Sequence, residues 1–550
     1  MVYKKKKTKK KKRRVLKILL VLIVLFTAFI LYCMFFLPTL PQNRSIVKVE
    51  RKTIGENFYM ADDSWLLKNK QGLWEMYIKG SPLERGNKIG VLSQELIISQ
   101  EDAFVDQITD MIPSKFMTRF LRFGIGIYNR NLGEYIPEEN KEEIFAISQY
   151  ASPDYGWIGN NYQRIMNYHS AHDIGHAVQL MGFVGCSTLG VWDNHSADSS
   201  LLMGRNFDFY VGDKFAENKI VLFMEPDKGY KHALITWGGM IGVVSGMNDQ
   251  GLSIVLNAAP SSIPFGSATP VSILAREILQ YAKNIDEAVA IAEKRKTFVA
   301  EQFVIGSAWD NKMAVIEKTK KEQSLYTVNT SYMACANHFQ SDKLSQVEES
   351  KETASGYRIE RMHELVDSIG VFTPEKMVHF LRDKKGQKGE NIGLGNEKSI
   401  DQLIAHHSIV FQPKSNTFWI STPPYQEGAF IAYNLDSVFS KAHIPHSCGF
   451  ATEEWTIAAD TVFLTTQYPN YKYYRDAVYH NFNGIDSTLI QSNPEFYYTY
   501  EFLGNYYADK GEYKKAIDYY AISLEKEIAN NRERTNILEK VEKLNKKSEK

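Results

Sequence analysis

With 550 residues, 44% hydrophobic and 13% aromatic, the chain holds enough core material for a large globular unit with appendages, which excludes disorder for its bulk. Its formal net charge is +1, yet residues 1–17 carry eleven cations and no acid, so the remainder stands at −10. That excludes a basic, aromatic-interleaved nucleic-acid surface, and no nucleic-acid partner is expected.

The basic segment 1–17 precedes an apolar run over 18–37, about 20 residues, which matches a hydrocarbon core of about 30 Å. Pro38 and Pro41 end it. The pattern predicts one transmembrane anchor over 18–38. The positive-inside rule puts the N-terminus in the cytoplasm and the chain beyond Pro38 outside it. A cleaved signal peptide would need small residues before the cut, and Cys33-Met34-Phe35-Phe36-Leu37 offers none.

Residues 39–185 read as a leading segment. Alternation over 73–78 predicts a strand. Gly80-Ser81-Pro82-Leu83-Glu84-Arg85-Gly86 predicts a turn and a helix start, with Pro82 in the first turn, where its missing N–H costs nothing. Helical stretches follow over 91–111 and 138–151. His169, His172, Asp173 and His176 come next. His172 and His176 share a helix face, a spacing that suits a metal, but further ligands are not evident. The cluster is read as structural or as support for processing, and no metal is assigned.

An apolar run over 180–184 leads into Gly185-Cys186-Ser187-Thr188, and 189–192 continues it. Asn194-His195-Ser196-Ala197-Asp198 is rich in turn formers, and Leu201-Leu202-Met203 restarts an apolar strand. The pattern predicts a β-hairpin that returns Arg205 and Asp208, in Gly204-Arg205-Asn206-Phe207-Asp208, beside Cys186. A guanidinium favours a thiolate, and a carboxylate can hold an amine or orient the cation. Taken alone, a cysteine in an apolar run is a small buried hydrophobe, and Arg205 and Asp208 form an ordinary strand-end pair.

Further strands are predicted over 219–225, 232–237, 241–245 and 252–257, with a turn at Gly246-Met247-Asn248-Asp249-Gln250-Gly251-Leu252. Helices over 270–283 and 285–296 follow, then strands over 303–307 and 313–318. Asn337-His338-Phe339 comes next, then a helix opening at Ser355-Gly356-Tyr357-Arg358, and a hairpin through 407–421. In the tail, 441–550, Tyr500, Leu503, Gly504, Tyr507, Gly511, Tyr513, Ala516, Tyr520 and Leu524 have the spacing of a tetratricopeptide-like repeat near 494–527. One such unit cannot bury its own face, so it should pack on the Tyr-rich stretch near 471–479 or on the core. A solvated Lys/Glu-rich helix is expected after Asn531.

In their order these motifs resemble the N-terminal nucleophile (Ntn) hydrolases of the choloylglycine hydrolase and acid ceramidase kind. The resemblance is closest to their isopenicillin-N acyltransferase-like branch and covers residues 70–435. In that family a Gly-Cys bond is cut autocatalytically and the cysteine becomes the new N-terminus. The resemblance implies a cut between Gly185 and Cys186, Cys186 as nucleophile, and Arg205 and Asp208 from the Gly-Arg-Asn-x-Asp segment. It implies Asn337, from Asn-His-Phe, as the main oxyanion donor, and Asn257, after the Gly-Met-Asn-x-x-Gly-Leu turn, as a second. Without it, Asn257 is a strand-end turn former. A Ser-x-x-Arg match adds Arg358, with Arg361 as an alternative and a plain surface arginine as the simpler reading. The implied fold is α+β, a four-layer α-β-β-α sandwich with its leader over 39–185 and its core over 186–440. Periodicity alone says only mixed α and β.

The combined reading is a membrane-anchored, self-processing cysteine hydrolase or acyltransferase with an extracytoplasmic catalytic domain. It acts on a small acyl-amide and needs no cofactor. Two alternatives stay open: a catalytically silent tethered protein that binds a protein partner through its tail, and an ester or phospholipid hydrolase with the same nucleophile. The sequence does not specify the substrate, or hydrolysis against transfer.

Overall fold

The structure, a computed structural model, describes residues 2–35, 39–111, 114, 125–126, 129, 131–170, 173, 184–209, 212–260, 266–345, 353–442 and 449–548. Among these, the strands form one sheet of eleven and one of six. The smaller sheet grows around the predicted hairpin. Val184–Val191 and Leu202–Phe209 pair antiparallel, with Cys186 opposite Phe207 and Gly185 opposite Asp208. Tyr332–Cys335 joins the first of these strands; Ala405–Gln412, Thr417–Ser421 and Phe430–Asn434 continue from the second. Every residue of Leu202–Phe209 is buried, as expected of a strand covered on both faces.

Side-chain alternation divides the core into layers. Val221, Phe223, Val255 and Val304 of the larger sheet meet Met203, Met333, Ile409 and Phe411 of the smaller one between the sheets. The other face of the larger sheet, with Leu222, Leu256, Phe303 and Ile305, packs on helices Pro82–Leu92, Val271–Tyr281 and Ile285–Lys294. The outer face of the smaller sheet, with Leu189, Val191, Leu202 and Val410, packs on Ala354–Ile369 and Pro374–Leu381. The result is a mixed α+β framework layered helix, sheet, sheet, helix. The leading segment is woven into it: Trp74–Gly80 pairs parallel with Ile220–Pro226 in the larger sheet. The predicted helix start holds, with Glu84 accepting hydrogen bonds from the Ser81 N–H at 2.8 Å and its hydroxyl at 2.7 Å.

Several expectations are corrected. Lys52–Gly55, Phe58–Ala61 and Ser64–Lys68 form strands that the sequence reading leaves out. Residues 241–244 form no strand, because their backbone bonds go elsewhere. The Ile241 N–H donates to His169 Nε2 at 3.0 Å, and the Val243 N–H donates to the Ser272 carbonyl at 2.8 Å. The strand therefore starts at Ser245, and the turn narrows to 249–251. Burial lowers the His169 pKa to about 4, so the ring is neutral and can accept that bond. Asp173 accepts from the Val271 N–H at 3.2 Å, at the start of a helix. His172 and His176 lie outside the described residues, as do residues 180–183 of the predicted apolar run. Among the described residues no group of three or more metal-binding side chains is found.

At the N-terminus, Val2–Phe35 is one helix, and its apolar side chains at Val15, Leu16, Ile18 to Phe26, Phe29, Leu31 and Tyr32 are exposed. Among the described residues no helix is long and apolar enough to cross a membrane. In the tail, Tyr497–Asp509 and Tyr513–Glu525 form a helical pair. The last helix, Asn531–Ser548, is less solvated than expected: Ile537 and Leu544 are buried in the tail's own core. That core includes Leu403 of the sandwich and the predicted Tyr471 and Tyr474. Gly393, at φ +85°, lets the tail seat closely, since a Cβ there would stand 2.4 Å from the Phe496 backbone.

Candidate active site

The hairpin register explains how Arg205 meets Cys186. Thr188 lies opposite Arg205, and Cys186 is its diagonal neighbour on the same face. The guanidinium Nη2 donates to Cys186 Sγ at 3.5 Å. Arg205 is wholly buried and so needs acceptors; its two terminal nitrogens find them, while Nε has none. Nη2 also donates to the Leu256 carbonyl, Nη1 donates to Ser245 Oγ at 2.9 Å, and the Phe207 ring centre lies 4.2 Å from the guanidinium carbon. Ser245 Oγ, having accepted that bond, has its own proton to give His407 Nε2 at 2.8 Å. His407 then carries its proton on Nδ1 and donates to His406 Nδ1 at 2.9 Å. Burial holds both rings well below the ordinary imidazole range, so this support is neutral.

Asp208 stands opposite Gly185, and neither carboxylate oxygen has a hydrogen-bond partner. Burial pushes its pKa well up; Arg358 and Arg205 pull against that and Asp401 reinforces it.

Asn337 follows the strand Tyr332–Cys335, which pairs with the Cys186 strand. Its Oδ1 accepts from the Cys186 N–H at 2.8 Å, and its Nδ2 donates to the Ala258 carbonyl at 3.0 Å. A carboxamide has two N–H donors, which leaves one for a further acceptor. Arg358 is no surface arginine. It is buried; Nη1 donates to the Cys186 carbonyl and, at 2.9 Å, to Ser187 Oγ, while Nη2 donates to Asn337 Oδ1 at 2.8 Å. Arg361 instead pairs with Asp383 at 2.9 Å. Asn257 is buried but meets Thr188, not Cys186: its Nδ2 donates to Thr188 Oγ1 at 3.1 Å.

The Cys186 thiol is raised by burial; Arg205 and Arg358 lower it, and Asp208 and Glu301 raise it. At Gly185 a Cβ would stand 2.2 Å from Gln402 Nε2, so only glycine lets Gln402 lie against this peptide. Ser245, Glu301, Gln402 and His407 are contributors that sequence reasoning missed, and Ser187 and Thr188 were given no role although they adjoin Cys186 on its strand. The first four are single residues on separate segments, and only the paired His406-His407 in an apolar strand offered a visible signal. A cavity of about 630 Å³ is lined by Gly185, Arg358 and Gln402 and by residues of the tail.

Residues 194–424 match the family model described as acyl-coenzyme A:6-aminopenicillanic acid acyl-transferase. Over these residues, less than half of its length, the chain is similar to that acyl-transferase family. The matched stretch includes Arg205, Asp208, Asn257, Asn337 and Arg358, and begins just beyond Cys186. An uncharacterized protein of Archaeoglobus fulgidus is 26% identical over 250 residues, which cover 43% of this chain and 41% of that protein. The chain therefore matches about two fifths of that relative's length. Among solved structures, an N-acylethanolamine-hydrolyzing acid amidase ortholog of Caenorhabditis elegans is 16% identical at TM-score 0.31, covering 42% of this chain and 93% of that one. A mutant of the conjugated bile acid hydrolase of Clostridium perfringens is 12% identical at TM-score 0.34, covering 48% and 94%. Likeness at this level bears on neither substrate nor mechanism.

If Arg205 draws the thiol toward ionisation, Arg205→Gln should move the pH at which Cys186 reacts with a thiol reagent to higher values. The check is the alkylation rate of Cys186 against pH, read by peptide mass spectrometry. An unmoved or downward-shifted profile would show that the guanidinium does not act on the thiol.

Proposed function

We propose that the chain is a self-processing, membrane-anchored cysteine amidase or acyltransferase of the N-terminal nucleophile type. The observation that carries this reading is the Cys186 thiol at 3.5 Å from a buried guanidinium, with Asn337 on the Cys186 N–H and Arg358 on its carbonyl.

Attack of Cys186 Sγ on the Gly185 carbonyl is intramolecular and so entropically favoured. The Gly185–Cys186 C–N bond breaks, the nitrogen takes a proton, and a thioester forms. Water hydrolyses it, leaving a Gly185 carboxylate, a free thiol and a free α-amine on Cys186. Asp208, opposite Gly185 and without a partner in the uncut chain, then gains an ammonium to hold. An α-amine of pKa about 7.7–8.0 is poised to act as base near neutral pH. In turnover the thiolate attacks the acyl carbonyl, the free N–H of Asn337 stabilises the oxyanion, and water or an amine resolves the acyl thioester. Asn257 acts through Thr188, keeping the nucleophile's strand in place. The leader stays bound after the cut because Trp74–Gly80 is paired into the larger sheet.

The anchor is read from the sequence: the apolar run over 18–37 and the eleven cations before Ile18 support a single span with the catalytic domain outside the cytoplasm.

Cys186→Ala should abolish hydrolysis across a panel of acyl-amides. Asn337→Ala should lower kcat about 100- to 1,000-fold, a larger loss than the fall in stability from its broken hydrogen bonds. A Cys186→Ala protein with wild-type turnover would sink the reading. For topology, protease added to intact cells should degrade the domain beyond Pro38; protection there, with digestion only from the cytoplasmic face, would reverse the orientation.

A further inference from the structure

The tail does more than close the fold: it forms the outer wall of the cavity that reaches Gly185 and Arg358. Its volume, about 630 Å³, falls in the usual range for small-molecule sites, about 300–1,000 Å³. The tail's contribution is aromatic, with Tyr471, Tyr474, Phe496 and Tyr498 lining it. Facing them, on the loop where the sandwich meets the tail, is Glu397.

We infer that this cavity binds an apolar molecule bearing an ammonium group, the cation pairing with Glu397 and the apolar body lying against the tail's rings. For what happens to such a ligand the inference rests on the amidase reading; for its binding it does not.

The charges of the wall support this assignment. One Glu397 oxygen accepts from the Tyr497 hydroxyl at 3.0 Å, and the other is buried without a hydrogen-bond partner. Burial raises the carboxyl to about 7; its own backbone N–H and the Tyr497 hydroxyl pull against that, and the neighbouring Glu533 and Glu501 add to the shift. The other charged groups of the wall are already committed or lie at its edge. Glu501 pairs with Lys540 at 2.7 Å, and Glu533 accepts from Asn536 Nδ2 at 2.9 Å. Arg475 pairs with Asp213 at 2.9 Å, and Arg358 is spent on Cys186, Ser187 and Asn337. Arg532 is exposed. Among the described residues no salt bridge reaches Glu397, and an ammonium would supply the donor its free oxygen lacks. Aromatic faces attract cations as well as apolar groups, so rings and carboxylate favour one ligand chemistry.

The test is calorimetric titration of the full-length Cys186→Ala protein with phenylbutylamine, phenylbutanol and phenylbutyrate at about pH 8, where Glu397 is ionised. The amine should bind about tenfold tighter than the alcohol, and the acid weaker still. Glu397→Gln should erase the amine's advantage, and Tyr474→Ala should weaken both amine and alcohol. If Glu397→Gln does not fold, the pH dependence serves instead: the advantage should collapse by about pH 6, where Glu397 is protonated and the amine still charged. Equal binding of the three ligands, preference for the acid, or an advantage that survives Glu397→Gln or acidification would overturn the inference. Because Cys186 is absent, none of these results depends on catalysis. A wild-type chain without amidase activity would refute the reaction and leave the binding result standing.

Discussion

A guanidinium buried away from water is tolerated only where acceptors surround it, and the architecture of the site follows from that requirement at Arg205. The Leu256 carbonyl comes from the larger sheet, Ser245 from the strand beside it, and the Phe207 face and Cys186 from the hairpin. The cation thus ties the two sheets together at the point where the thiol sits. Ser245 can serve because His407 takes its proton, and His407 is oriented in turn by His406. A charge beside the thiol is therefore also a structural fixture, and its supports reach four strands besides its own.

The second buried cation, Arg358, reads the backbone. It grips the Cys186 carbonyl while Asn337 takes the Cys186 N–H, so both peptide groups of the residue are fixed before any reaction. Beside them Asp208 waits as a buried carboxyl with no partner. A buried polar group left unsatisfied is costly, and an ammonium appearing at Cys186 would relieve it. The proposed self-cleavage would give this carboxyl the partner it lacks.

Much of this was legible in the sequence where signals were local. The Cys186 hairpin showed as two apolar runs around a turn, and Arg205 and Asp208 stood out through the resemblance of Gly-Arg-Asn-x-Asp to the family's segment. Asn337 was visible through its motif, but its actual bonds, oxygen toward Cys186 and nitrogen toward Ala258, depend on three-dimensional neighbours. Arg358 looked like a surface residue because a helix opening carries no sign of which face a sheet will cover. The strands over 52–68 are four or five residues long and broken by Asn57 and Asp62 in the left-handed region, too short for a period to emerge. Residues 241–244 failed for the opposite reason: their apolar pattern was real, but a histidine and a helix end took their hydrogen bonds. The role of the tail as a cavity wall could not be read at all, since its aromatic spacing serves its own core equally well.

N-terminal sequencing of the fragments in the purified wild-type protein tests the central claim most directly. The account predicts a core fragment that begins at Cys186 and a leader that ends at Gly185, associated without a covalent link and absent from Cys186→Ala. An active chain that remains uncut, or a core fragment beginning at any other residue, would contradict it.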